Sequence, residues 1–167
     1  MKETAQQYIQ RILGYIEKKN PMDVLAATPR QVERLVKGVT KKRLGKRPAP
    51  EKWSVTEIMA HLADVEIVQG FRIRLILGSS GIAIQGFDQD VWARYSDYSR
   101  HDPALSLEGY KVNRQRTLLL LKSLPKKMWD HFGIHSERGK ETVKRISEMM
   151  AGHDINHLRQ IQAILKG

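Results

Sequence analysis

Two histidines near the end of the chain, His153 and His157, constrain the fold more than any other feature of the sequence. They stand four residues apart in a helix-forming stretch, which places them one turn apart on the same helix face. Val143, Ile146 and Met150 precede them at steps of three and four, so the two imidazoles interrupt an apolar stripe that faces a core. Burying two imidazoles costs polar desolvation unless a partner satisfies both. A divalent cation is such a partner, and the spacing therefore predicts a metal site inside a packed helical fold.

A third histidine, His61, lies in another helix-forming segment far upstream. Ser54 and Glu57 have the spacing of a capping box, which predicts that a helix begins at Val55. His61 falls on the apolar line of this helix, so its side chain is predicted to point inward. That line consists of Ile58, His61, Val65, Val68 and Leu75. If the fold brings His61 to the other two histidines, the resulting three-histidine site leaves coordination positions open, as catalytic sites do.

These histidine segments carry a family resemblance. The segment from Trp53 to Glu66, with its Ala-His-Leu-Ala-Asp core, and the terminal pattern His-Asp-x-x-His-Leu-x-Gln-Ile resemble the DinB-like superfamily, which includes the YfiT-type metalloenzymes. The resemblance implies an all-α four-helix bundle whose metal is held by one histidine from the second bundle helix and two from the last. By order and spacing, the matching positions are His61, His153 and His157. Outside these segments the resemblance rests on chain length and helix order.

The resemblance also bears on function. Some members look like transferases that use a low-molecular-weight thiol, and others are labelled hydrolases, so it implies a metal-dependent enzyme acting on a small molecule by either route. It further implies a homodimer.

No residue stands out as a general base, and the catalytic residues stay unassigned. Four polar residues are candidates for orienting a ligand: Asp64, Asp154, Asn156 and Gln160.

The absence of cysteine limits the nucleophiles, cross-links and metal ligands that the chain can supply. It excludes disulfides, a protein thiolate nucleophile and cysteine-ligated zinc or iron–sulfur sites, so any metal must be bound by His, Asp or Glu. Imidazole ligands suit zinc, nickel, iron or manganese, and we favour zinc or nickel. At 167 residues the chain is predicted to form one domain over residues 1–167.

Hydropathy predicts the cellular location of the protein, and charge predicts the kind of partner that it could bind. The first residues lack the apolar core of a signal peptide and no apolar run approaches about 20 residues, so we expect a cytoplasmic protein without a membrane segment. The net charge is +11. The alternative to an enzyme is therefore a non-catalytic, metal-stabilised binding or stress-response module whose basic surface docks acidic partners. The basic run from Lys41 to Arg47 lacks interleaved aromatics, and we do not expect nucleic-acid binding. A further alternative is a metal that serves only to stabilise the fold. It predicts that no pocket beside the metal is open to small ligands.

The helices are predicted in the following order. The first spans Glu3 to Lys19, and short helices over Pro21–Ala27 and Pro29–Val39 cross the bundle before the second bundle helix begins at Val55. The third bundle helix spans Leu105 to Leu124, and the last begins near Lys140.

The connection between the second and third bundle helices is unusually long. It carries four aromatic residues, Phe87, Trp92, Tyr95 and Tyr98, and is predicted to form a lid or a wall of a pocket. The remaining histidines fall in predicted loops, where surface exposure is expected; they are His101, His131 and His135.

Overall fold

The computed structural model describes residues 3–167. Its α-helices are α1 (Ala5–Gly14), α2 (Pro21–Val36), α3 (Lys41–Leu44), α4 (Val55–Gly78), α5 (Gln89–Tyr95), α6 (Pro103–Ser123) and α7 (Val143–Lys166). Its strands are β1 (Ile82–Ile84), β2 (Phe132–His135) and β3 (Gly139–Thr142). Two 3₁₀ turns span Tyr98–Arg100 and Lys126–Asp130. Within the described residues, no helix is both long and apolar enough to cross a bilayer.

The four long helices α2, α4, α6 and α7 form the bundle. Helices α2 and α4 each pack against both α6 and α7. One core cluster lies around Ile73, Leu121 and Met150, and another lies around Ile58 and Tyr110. The predicted all-α four-helix bundle is therefore confirmed, and α4 begins at Val55 behind the predicted Ser54–Glu57 capping box.

The helix α2 differs from its prediction. The sequence predicts two short helices separated at Pro29, whereas the structure has one continuous helix that is itself a bundle member. Proline has no N–H, so Pro29 leaves the carbonyl of Leu25 without its normal helical donor. The Nη1 atom of Arg114 on α6 donates to that carbonyl oxygen at 3.0 Å. A buried side chain from another helix thus replaces the missing hydrogen bond, which local sequence does not reveal.

The first helix is shorter than predicted, ending at Gly14 rather than Lys19, and it packs on α7. Gly152 makes this packing possible. A Cβ atom at Gly152 would lie 2.1 Å from the carbonyl oxygen of Ile12, a distance that no side chain tolerates. The backbones of α1 and α7 therefore touch directly beside His153.

The small sheet was not predicted. Strand β1 pairs parallel to β2, and β2 pairs antiparallel to β3. Because β3 occupies Gly139–Thr142, α7 begins at Val143 rather than near Lys140, with the Thr142 side chain as its cap. The basic run from Lys41 to Arg47 contains the short helix α3, which is capped by the Thr40 side chain.

Helices α4 and α6 run parallel to each other. Glu66 contacts Arg114, and one turn further along both helices Gly70 lies against Thr117. The connection between them must therefore return along the length of α4, about 36 Å for 24 residues. The long connection follows from this topology, and its Tyr98 hydroxyl donates to Asp64 of α4.

Candidate metal centre

Three histidines meet between α4 and α7. The Nε2 atom of His153 lies 3.0 Å from Nε2 of His61 and 3.0 Å from Nε2 of His157. One potential ligand atom from each residue falls within 4.8 Å of the others. Nitrogen ligands at about 2.0–2.1 Å from one ion are themselves roughly 3 Å apart, so the spacing fits a single cation. The donor set therefore suits one divalent metal ion with open coordination positions.

The environment keeps these imidazoles neutral. His61 is 1% exposed and His157 is 6% exposed. Burial lowers the pKa of each of these two imidazoles well below its ordinary value. The other two histidines lower the pKa of His61 further, and His153 lowers that of His157 further. Burial, with the charge of Arg114, lowers the pKa of His153 to about 4. Neutral imidazole is the form that binds metals, so the ligand form is the one present at neutral pH.

Neighbouring side chains hold two of the rings. The Nδ1 atom of His157 lies 2.7 Å from Oε1 of Gln160, one turn along α7. With Nδ1–H donating to that amide oxygen, Nε2 keeps its lone pair for a cation. The indole of Trp53 packs against His61 with ring centroids 4.9 Å apart. Trp53 directly precedes the Ser54 cap, so the capping box also sets the position of this ring.

Of the four residues predicted to orient ligands, only Gln160 forms a side-chain hydrogen bond with a histidine of the cluster. Asp64 accepts the hydroxyl of Tyr98 instead. Asn156 accepts a hydrogen bond from Nη1 of Arg11 at 2.8 Å.

Asp154, the fourth of these residues, is engaged by Arg114. The bidentate pair has Nη1–Oδ2 and Nη2–Oδ1 distances of 2.6 and 3.1 Å. Arg114 also donates through Nε to Glu66 at 2.8 Å. Together with the carbonyl of Leu25, these contacts join α2, α4, α6 and α7 at the guanidinium of Arg114. One of its partners, Asp154, directly follows His153 in the chain.

The other histidines lie outside the cluster. His101 Nε2 is 2.9 Å from the carbonyl oxygen of Ser96 in the long connection. His135 was predicted to be exposed but is 2% exposed on β2, because the unpredicted sheet encloses it. Its Nδ1 accepts a hydrogen bond from the backbone N–H of Glu137.

Two cavities open onto the histidines. The larger, of about 630 Å³, reaches His153 and His157. Its walls include Tyr8, Arg11 and Trp53. Such a volume suits a small-molecule ligand.

The smaller cavity, of about 340 Å³, reaches His61 and His153. Phe87 from the long connection forms part of its wall, in agreement with the prediction for that segment. Two of its lining residues, Gln69 and Arg72, are not among those predicted from the sequence. Their signal was available, because Arg72 lies 11 residues after His61, which is about three helical turns and the same face.

Comparison with known proteins identifies the family. The family model of the DinB superfamily matches residues 25–161. This match covers most of the chain and includes all three histidines. The protein therefore belongs to the DinB superfamily.

Individual relatives agree with this assignment. YfiT of Bacillus subtilis (strain 168), whose name assigns it provisionally to the metal-dependent hydrolases, is 24% identical over 147 residues, covering 87% of this chain and 82% of its own. A protein of Oceanobacillus iheyensis with the same description is 25% identical over 114 residues, covering 68% of this chain and 66% of its own.

Solved structures show the same fold. The structure of YfiT from Bacillus subtilis, described as a four-helix bundle of unusual topology, matches with a TM-score of 0.82 at 21% identity, covering 98% of this chain and 88% of that one. A mycothiol-dependent maleylpyruvate isomerase matches with a TM-score of 0.66 at 12% identity, covering 84% of this chain and 59% of that one.

Proposed function

We propose that this protein is a metal-dependent enzyme that binds one divalent cation through His61, His153 and His157 and acts on a small molecule. The observation that carries the proposal is the convergence of the three neutral imidazoles, two buried and one half-buried, through their Nε2 atoms beside open cavities. A metal kept only for stability would have a closed coordination shell and no adjoining pocket. The names of the YfiT-like relatives support the same class.

The reaction we propose is hydrolysis or S-transfer. A bound divalent cation supplies Lewis acidity that lowers the pKa of water or of a low-molecular-weight thiol. The similarity in fold to a mycothiol-dependent isomerase supports the thiol alternative. Because all three ligands are imidazoles, we favour zinc or nickel.

The residues of the chain have distinct roles in this proposal. The three histidines hold the cation, Gln160 fixes the His157 ring, and Trp53 covers His61. The carboxylate adjacent to the site, Asp154, is committed to Arg114 and is not free to accept a proton from a nucleophile. We therefore leave the general base unassigned.

The proposed activity is tested by the His61→Ala variant. Metal-loaded wild-type protein is assayed with a chromogenic aryl ester, and with an aryl chloride plus a low-molecular-weight thiol. Because loss of one ligand removes the Lewis acid, we expect His61→Ala to lose turnover by at least about 100-fold in whichever assay is positive. His101→Ala, which alters a histidine outside the cluster, is the matched control and should retain activity. No turnover by wild type in either assay, or equal turnover by His61→Ala, would contradict the proposed reactions.

We also propose that the protein is a homodimer through the exposed surface of α4 and α6. Large apolar side chains are exposed there, with Ile67 and Phe71 one turn apart on α4. On α6 they recur every seven residues, at Leu105, Val112 and Leu119. Apolar stripes at this spacing on neighbouring helices are typical of helix-packing interfaces.

The dimer is tested by sedimentation equilibrium. Two charges placed on this surface, in the variant Phe71→Lys/Leu119→Lys, would have to be desolvated at the interface, so we expect conversion of dimer to monomer. Tyr95→Lys is the control because Tyr95 is an exposed aromatic residue on α5 and not on α4 or α6. A monomeric wild type, or a variant that still sediments as a dimer, would disprove the proposed interface.

We infer that residues 1–167 form one domain, since both core clusters draw on α4, α6 and α7. The cytoplasmic location and the docking of acidic partners by the basic surface stay predictions from composition.

A further inference from the structure

Arg72 is a buried cation on α4. The residue is 4% exposed, and its Nη2 atom donates to the backbone carbonyl of Gln85. Its guanidinium lies over the ring of Phe87, 5.7 Å from the centroid. Among residues 3–167, no carboxylate lies within 4.0 Å of it, in contrast to buried Arg114, which contacts both Glu66 and Asp154. A buried charge is costly when unpaired, so this guanidinium is poised to accept an anion.

The charged groups around Arg72 do not supply that anion. Arg138 is another cation, already bound through two nitrogens to Glu141 at 2.9 and 2.8 Å. Glu3 is similarly bound to Arg11 at 2.8 and 2.9 Å.

Glu137 is the remaining carboxylate that lines this cavity. Its side chain is exposed and beyond salt-bridge distance of Arg72. Burial, followed by the charge of Arg138, lowers the pKa of Arg72 to about 10, against the smaller opposing effects of Glu141 and Glu137. The residue therefore remains a cation at neutral pH.

Arg72 faces the same cavity as the histidine cluster. That cavity is lined by His61 and His153 at one place and by Arg72 at another. His61, Gln69 and Arg72 occur at i, i+8 and i+11 on α4, which places them on one helix face over about 16 Å. The buried end of the Gln69 amide has no hydrogen-bond partner. With the amide turned so that Nε2 occupies this position, Gln69 presents N–H donors to an anion. The other walls include the apolar side chains of Val65, Phe87, Met149 and Met150.

We propose that Arg72 and Gln69 form a subsite that binds a carboxylate group of the substrate, with an apolar segment of the substrate extending from there toward the histidines. This inference rests on the proposed function, because it names the substrate class of the same site. A planar carboxylate matches the fork geometry of a guanidinium. Of the two arginines that line this cavity, Arg138 is paired with Glu141, so Arg72 is the one that can balance a negative charge of the substrate. One such charge favours a monocarboxylate over a phosphate dianion.

The competing explanation is that Arg72 has only a structural role. It would hold the carbonyl of Gln85 and cover Phe87, and the cavity would have no preference for anions. The two explanations differ in a binding measurement that needs no turnover. The probe is sodium butanoate, and butyramide of nearly the same shape is the uncharged comparison.

The experiment titrates the full-length protein with each probe and follows binding by NMR, before and after removal of metal by chelation. We expect saturable binding of butanoate in both preparations and none of butyramide. Arg72→Gln should weaken butanoate binding by at least about 10-fold, because a charge-assisted pair is lost. Arg116→Gln, which removes an exposed charge from α6, is the matched control and should stay within about twofold.

A second variant covers the case in which Arg72→Gln does not fold. Gln69→Leu leaves the charge and the contact with Gln85 in place and should weaken butanoate binding measurably, with an unchanged circular dichroism spectrum. Equal affinity for butanoate and butyramide in wild type, no binding of butanoate, or unchanged affinity in folded Arg72→Gln would overturn the proposal. Because chelated protein is included, this failure is distinct from a failure to bind metal at the histidines.

Discussion

Replacing Arg114 with methionine is expected to lower the free energy of unfolding by about 3–5 kcal/mol. The guanidinium is buried and contacts Glu66, Asp154 and the carbonyl oxygen of Leu25. Methionine fills much of the same volume but leaves two carboxylates and one carbonyl without their donor. Burial already raises the pKa of Glu66, against the opposing charge of Arg114, so loss of that charge leaves the carboxyl still more costly to ionise.

The effect is large because four helices depend on one side chain. Arg114 belongs to α6, Glu66 to α4, Asp154 to α7 and Leu25 to α2, so the variant loosens the whole bundle. Pro29 adds to the loss, since no helical N–H can replace Arg114 at the Leu25 carbonyl. His153 precedes Asp154 in the chain, and the same network therefore supports the candidate metal centre.

The prediction is measured by urea unfolding followed by circular dichroism. Arg116→Met on the exposed side of α6 is the matched control and should change stability by no more than about 0.5 kcal/mol. The triple variant Arg114→Met/Glu66→Gln/Asp154→Asn should recover part of the loss, because it no longer buries an unpaired charge. Equal stabilities of Arg114→Met and Arg116→Met would show that the network does not contribute as described.

Much of the architecture could be predicted from local signals. The capping box at Ser54 and Glu57 fixes the start of α4, and the resulting periodicity turns His61 inward. The spacing of His153 and His157 places them on one face of α7, where the structure brings them beside His61. These features are local because capping and helical periodicity depend on residues within a few positions of one another.

Other features depend on contacts distant in sequence and could not be predicted. Pro29 suggests a helix break, but Arg114 satisfies the carbonyl that the proline leaves free. The strands of the sheet have three or four residues each and were too short to give a clear alternation. The role of Asp154 was likewise hidden, since its partner Arg114 lies 40 residues away.

The second large expected effect concerns metal binding itself. The His153→Ala/His157→Ala variant removes two of three converging imidazoles, and a lone His61 offers one ligand where a stable site needs three. We therefore expect complete loss of bound metal. The His101→Ala variant retains all three imidazoles and should bind metal like wild type.

Metal content is the most direct test of the proposed centre. Protein without a histidine tag, purified without chelators, is analysed by inductively coupled plasma mass spectrometry beside both variants. The proposed centre requires about one divalent ion per chain in wild type and in His101→Ala, and none in His153→Ala/His157→Ala. A wild-type protein that binds no metal after incubation with zinc, nickel, iron and manganese in turn, or a double variant with unchanged metal content, would contradict it.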